Sequence, residues 1–160
     1  MPATLEISAP APRHESTELA KRRVLLVDHD PINRQTLRRL LTREGYSVIT
    51  AANGSEALEQ ADAMTIDLVV LDLDMPLQDG WNTFERLSAR NSMLPVILIA
   101  ACSNQFFPAA ASGVGALLEK PLNFLKLFST MQVLLEEPAE MRMMRWKLRT
   151  SIFCYIPSSI

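Results

Sequence analysis

The sequence predicts an α/β fold in which a doubly wound, five-stranded parallel sheet carries helices on both faces. Three observations predict it. Short, continuously apolar runs recur, among them "RVLLV", "IDLVVLD" and "PVILIAA", and such runs mark strands buried on both faces. Segments of helical periodicity alternate with them across short connections, the pattern of a parallel sheet with crossover helices. The 160 residues, 48% hydrophobic and 21% charged, suit one domain with a sizeable core.

The elements follow in order. The first 21 residues are rich in Pro and Ala, lack the apolar core of a signal peptide and read as a flexible leader. "RVLLV" (23–27) is the first strand. In "PINRQTLRRLLTREG", Leu37, Leu40 and Leu41 share one helical face with Ile32 at its start, and Gly45 is placed to end the helix. "YSVITA" (46–51) is the second strand and "NGSEALEQA" a turn into a short helix. "IDLVVLD" (66–72) is the third strand, and "GWNTFERLSAR" sets Trp81, Phe84 and Leu87 at helical spacing. "PVILIAA" (95–101) is the fourth strand. "NQFFPAAAS" is a weak helix, because Pro108 fits only in its first turn. "GALLEK" (115–120) is the fifth strand, and "NFLKLFSTMQVLLEE" closes the series with Phe124, Leu127, Phe128, Met131, Leu134 and Leu135 on one stripe.

The domain is therefore placed at residues 22–136, with a C-terminal extension over 137–160. The extension is too short for a DNA-binding output domain and has no helix-turn-helix pattern. Met141, Met144 and Leu148 fall on one helical face, with Arg142, Arg145, Lys147 and Arg149 around it. That helix is expected to pack on its own domain, and the apolar "SIFCYI" (151–156) to dock on the body of the domain or on a neighbour.

A net charge of −2 gives no general electrostatic case for nucleic acid or an acidic membrane. No apolar run reaches the length of a membrane span. Cys102 and Cys154 form no disulfide framework, and reduced thiols in the cytoplasm are the simplest reading.

In an open parallel sheet, ligands sit beyond the carboxyl ends of the strands. The residues predicted there are Asp28, His29 and Asp30 after strand one, Asp72 after strand three, Ala100 to Ser103 after strand four and Lys120 after strand five. Three carboxylates and a lysine converge on one rim. An acid at the mouth of a buried strand is costly unless a cation or a transferred group uses it.

The stretches "VLLVDHDPINR", "DLVVLDLDMPLQDG" and "GALLEKP" stand in that order across residues 22–136. Together they make the chain resemble a response-regulator receiver domain of two-component signalling, of the stand-alone, single-domain type with an atypical site. The resemblance implies a flavodoxin-like (βα)5 fold with strand order 2-1-3-4-5. It implies Asp72 as phosphoacceptor, Lys120 as the contact to the phosphoryl oxygens, and Mg²⁺ held by Asp28, Asp72 and the backbone carbonyl of Asp74, an oxygen shell of the kind that ion prefers. It also implies a cis bond before Pro121 that aims the lysine inward, and a loop shaped by Met75, Pro76 and Gly80. The phosphoryl group would come from a histidine kinase or phosphotransfer protein. Output would pass through protein contacts to a downstream partner, with no enzymatic turnover beyond the domain's own aspartyl phosphorylation and dephosphorylation. Receivers commonly meet partners, or dimerise, across the helix after strand four, strand five and the helix that follows it.

Three positions depart from the family pattern. His29 stands where a second acid usually contacts the metal, and imidazole is a poor ligand for a hard cation, so weak Mg²⁺ binding is expected. Asp30 can either compensate or cap the helix starting at Pro31, and the cap is the preferred reading. Ala100 stands where a Thr or Ser hydroxyl usually binds the phosphoryl group, and Leu117 where an aromatic switch residue is common. Two further functions are weighed on the same residues. One is a pseudo-receiver that binds partners without phosphorylation. The other, remote, is a haloacid-dehalogenase-like phosphatase, suggested by "VVLDLDMP" but lacking an acid at the end of strand four.

Overall fold

The structure, a computed structural model, describes residues 21–101, 108–109, 113–148 and 154–158. Strands β1 (Arg23–Val27), β2 (Ser47–Ala51), β3 (Leu68–Asp72), β4 (Val96–Ala100), β5 (Ala116–Glu119) and β6 (Cys154–Ile156) form one sheet in the order β2-β1-β3-β4-β5-β6. Every neighbouring pair is parallel. The helices are α1 (Pro31–Arg43), α2 (Gly54–Ala63), α3 (Asp79–Arg90), α4 (Phe124–Glu136) and α5 (Ala139–Leu148), with a short 3₁₀ turn at Pro76–Gln78 before α3.

The strand pattern decides both cores. Successive side chains point to opposite faces, so Leu25, Val27, Val69, Leu71, Leu98 and Leu117 pack under α2 and α3, with Ala57, Leu58, Phe84 and Leu87. Val24, Leu26, Leu68, Val70, Ile97 and Leu118 pack on the other side, against Leu37 and Leu41 of α1 and Leu127 and Met131 of α4. Each such buried side chain contributes about 1.5–3 kcal/mol. The two cores hold the strand ends in fixed register, and that register places the polar rim.

Four features differ from the sequence expectation. First, the five expected strands stand in the expected order 2-1-3-4-5, and among the described residues a sixth joins them. Cys154–Ile156 lies along the outer edge of β5 with Leu117 opposite Tyr155. Tyr155 packs on one core and Ile156 on the other, so the alternation that builds the central strands also seats this one. The outer edge of β5, part of the face expected for dimerisation, is thereby paired within the chain. Second, Ile32 is 75% exposed. At 3.6 residues per turn it stands about 140° round the helix from Leu37, and only Leu37 and Leu41 are fully inside.

Third, the helix of the extension is not seated by an apolar stripe, since Met141, Met144 and Leu148 are all exposed. Two arginines fasten it instead. Arg142 Nη2 donates to the carbonyls of Leu134 and Leu135 at 2.9 and 3.3 Å, satisfying the C-terminal turn of α4. Arg145 is buried and ion-paired with Glu137. Fourth, Phe124 is 40% exposed at the start of α4, while Leu127, Met131, Leu134 and Leu135 form the buried stripe. Of the helix expected over 104–112, only Pro108 and Ala109 are described, both helical. Residues 1–20 of the leader lie outside the described residues, as do Cys102 and Ser103.

Candidate functional site

Asp72 is the last residue of β3, at the centre of the sheet, and only 2% exposed. The ladder continues past it, with Leu73 N–H donating to the Ile99 carbonyl at 2.8 Å. The chain then turns sharply. Gly80 makes the turn possible, because a Cβ there would lie 2.7 Å from Leu73 Cα. Asp79 Oδ2 accepts from Gly54 N–H at 2.6 Å, pinning the loop to the start of α2. Met75 is buried beneath this loop. Leu77 takes a left-handed backbone conformation, φ 61°, fully exposed at its tip.

Lys120 follows β5, its N–H bonded to the Ala100 carbonyl at 2.8 Å and its peptide to Pro121 cis. Its ammonium lies 3.2 Å from both Asp72 carboxylate oxygens and 3.1 Å from Asp74 Oδ2. Asp72 Oδ1 also accepts from Asp74 N–H at 2.8 Å. Burial works against the Lys120 cation, but Asp72 and Asp74 together outweigh it and hold its pKa above the ordinary value.

Asp28, just beyond β1, is 4% exposed, and its Oδ1 accepts from Asp30 N–H at 2.9 Å. Burial raises its pKa above the usual carboxylate range, the Asp30 amide opposes this, and the neighbouring Asp72 charge adds to the rise. Two buried carboxylates therefore share one ammonium, and the surplus is negative. Asp28, His29 and Asp72 bring one ligand atom each within 4.8 Å of one another. The His29 ring is exposed, with Nδ1 3.9 Å from Asp28 Oδ1. Asp30 is turned elsewhere: its Oδ1 accepts from Ile32 N–H at 2.8 Å and Asn33 N–H at 3.3 Å as the N-cap of α1.

At the end of β4, Ala100 is fully buried and offers no side-chain donor; Leu117 is buried in the same core, with Tyr155 packed against it. The sequence reading considered only the backbone of Asp74. In the structure its side chain is the third member of the site, accepting from Ala101 N–H at 2.8 Å as well as from Lys120. Its sequence signal was faint, an acid two residues past Asp72. The contact depends on a residue 27 positions away. A cleft of about 320 Å³ opens beside the rim, bounded by Asp28, Asp72, Lys120, Thr36 and Phe124.

The comparisons with known proteins agree with this fold. Residues 24–132 match the family model described as the response regulator receiver domain. The transcriptional regulatory protein GlrR of Escherichia coli K12 is 35% identical over 126 residues, covering 78% of this chain and 28% of GlrR. The response regulator MprA of Mycobacterium tuberculosis is 35% identical over 131 residues, covering 78% of this chain and 57% of MprA. The chain thus spans between about a quarter and three fifths of these relatives. Among solved structures, the response regulator protein TrrA of Thermotoga maritima, in complex with Mg²⁺ and BeF, superposes with a TM-score of 0.66 at 31% identity, over 71% of this chain and 98% of that one. A response regulator receiver protein of Burkholderia phymatum gives 0.66 at 32% identity, over 74% and 98%. The chain belongs to the response-regulator receiver-domain family of two-component systems.

Proposed function

We propose that the domain is phosphorylated on Asp72 by a histidine kinase or phosphotransfer protein in the cytoplasm and signals through protein–protein contacts. The observation that carries this is a buried strand-end carboxylate facing a lysine held 3.2 Å from both its oxygens. An Asp72 oxygen forms a bond to phosphorus while the bond to the donor's leaving group breaks, and that group departs with the electron pair. Lys120 then neutralises the phosphoryl oxygens as a compact fixed cation. Hydrolysis reverses the state: water oxygen attacks phosphorus, and Asp72 leaves as the carboxylate. The domain has no other enzymatic activity in this account.

The residues present fit a divalent cation, since Asp28 and Asp72 are buried together and burial, with the neighbouring Asp72 charge adding to it, raises the Asp28 pKa. Asp28, Asp72 and the Asp74 backbone carbonyl would hold Mg²⁺, with the His29 nitrogen within reach of the same point. Bound there, the ion would supply charge neutralisation as an anionic phosphoryl group approaches two carboxylates. The test is intact mass after incubation with acetyl phosphate and Mg²⁺. Wild type should gain the mass of one phosphoryl group and Asp72→Asn none; equal labelling of the two would overturn Asp72 as acceptor.

A second reading is favoured by Ala100 and Leu117, both aliphatic and buried where a hydroxyl and an aromatic would relay the signal. On it, the surface around β5 and β6 binds its partner largely without phosphorylation. The same labelling experiment separates the two readings. The haloacid-dehalogenase-like alternative has no support in the family match or the solved structures.

A further inference from the structure

One carboxylate oxygen in the site has two donors. Asp74 Oδ2 accepts from Ala101 N–H at 2.8 Å and lies 3.1 Å from Lys120 Nζ. The same ammonium lies 3.2 Å from both oxygens of Asp72. A phosphoryl group on Asp72 would carry phosphorus one covalent bond and its own oxygens two bonds beyond those atoms, toward the Lys120 ammonium and the neighbouring Asp74 carboxylate that Ala101 N–H holds. Ala100 supplies no side-chain donor; Lys120 and Asp74 N–H donate to Asp72 itself, and Ala101 N–H to the neighbouring Asp74 carboxylate.

We propose that the Asp74 carboxylate is a built-in stand-in for the phosphoryl group, occupying in the resting protein the two donors that an acyl phosphate on Asp72 requires. This rests on Asp72 being the phosphoacceptor. Phosphorylation must expel the Asp74 carboxylate from Ala101 N–H, a single donor, and crowd it at the Lys120 ammonium, because the phosphoryl group and the carboxylate repel one another as like charges. The Asp74 side chain, 36% exposed, has a solvent-side path by which to leave. Asp74 is thus a positioning residue. It keeps the Lys120 ammonium and the end of β4 preorganised, and it opposes both the formation and the persistence of the phosphorylated state. The competition is a coupling between two anions for one site, and couplings of that kind span about 5- to 150-fold in apparent affinity.

The test compares wild type, Asp74→Ala and the near-isosteric Asp74→Asn at saturating Mg²⁺, so that any change in metal affinity drops out. Acetyl phosphate is titrated and the labelled fraction read by intact mass. Both variants should reach half-labelling at a donor concentration at least about five-fold lower than wild type, and lose label more slowly after the donor is removed. A damaged fold would lower labelling, so a gain is not explained by disruption. In a second measurement without phosphodonor, the Ala101 amide resonance should move in Asp74→Ala and then respond to beryllofluoride at lower concentration than in wild type. Labelling of the variants equal to or weaker than wild type, or an Ala101 amide unmoved by Asp74→Ala, would overturn the proposal while leaving Asp72 as acceptor. No labelling of any of the three proteins would overturn the acceptor reading and this proposal together.

Discussion

The Tyr155 hydroxyl donates to Glu119 Oε1 at 2.5 Å, one residue before Lys120. Ser158 N–H donates to the other oxygen of the same buried carboxylate at 3.2 Å. The extension is therefore tied to the strand that carries the site lysine. The bond to Glu119, with burial and the carboxylate charge adding to it, raises the Tyr155 pKa above the ordinary 10.0. Its contribution is complete below pH 10 and is lost as pH climbs through the raised folded value. Tyr155→Phe should remove this dependence. It should also speed hydrogen exchange at Cys154–Ile156 at neutral pH. Unchanged exchange would show that backbone pairing with β5 suffices to hold the strand.

The second fastening is the Arg145–Glu137 pair, whose side chains are 7% and 9% exposed. Arg145→Ala leaves a buried carboxylate without its cation, which costs about 3–5 kcal/mol. The double variant Arg145→Met with Glu137→Leu should recover most of that loss. Denaturant unfolding of the three proteins checks it, and a single-variant loss under about 1 kcal/mol would place Glu137 in contact with solvent.

Stability near the acidic rim should depend on pH in a defined direction. The Asp28 pKa is raised in the folded protein by burial, partly offset by the Asp30 amide and reinforced by Asp72. A raised carboxylate contributes stability below its unfolded value of 3.8, and that contribution is lost as pH rises through the folded value. Without divalent metal, Asp28→Asn should therefore melt higher than wild type at neutral pH, and the difference should vanish below pH 3.8. A variant that melts lower at neutral pH would show that the charged form is favoured in the fold.

His29 should limit metal affinity. Replacing it, His29→Asp, adds a carboxylate beside Asp28 and should tighten Mg²⁺ binding by about 1 kcal/mol or more. Calorimetric titration of the two proteins reads this directly, and equal affinities would mean that the imidazole or solvent already fills the position.

Much of the molecule was legible because buried strands advertise themselves. "RVLLV" and "VILIA" admit no amphipathic reading, and once the strands are set, Asp28, Asp72 and Lys120 follow as the residues at their ends. Other features were hidden for physical reasons. β6 is three residues long, shorter than most strands, and only the open edge of β5 makes it one. The sequence pattern places Arg142 and Arg145 only as charges around the apolar face of the extension helix, and it is the free carbonyls of α4 and the Glu137 carboxylate that draw them inward. The Asp74 side chain finds its donors on a different strand end, and spacing along the chain carries no trace of that. The exposure of Ile32, by contrast, was available from helical arithmetic alone.

Output should be weakly coupled to the phosphoryl site. The hydrogen bond that a Thr or Ser would give at Ala100 is worth about 1.5–3 kcal/mol, comparable with a typical allosteric coupling of about 1–3 kcal/mol. Hydrogen exchange at Ala116–Glu119 and Cys154–Ile156 should accordingly change little on adding beryllofluoride and Mg²⁺. Strong protection or deprotection there would show that the extension reads the state of Asp72.

The most direct test of the central claim, that Asp72, Lys120 and the Ala101 amide form one anion site at the end of β3 and β4, is backbone amide NMR during a titration with beryllofluoride and Mg²⁺. The account predicts saturable shifts at Leu73, Asp74, Ala101 and Lys120, abolished in Asp72→Asn. Spectra that stay unchanged at these amides throughout the wild-type titration would contradict it.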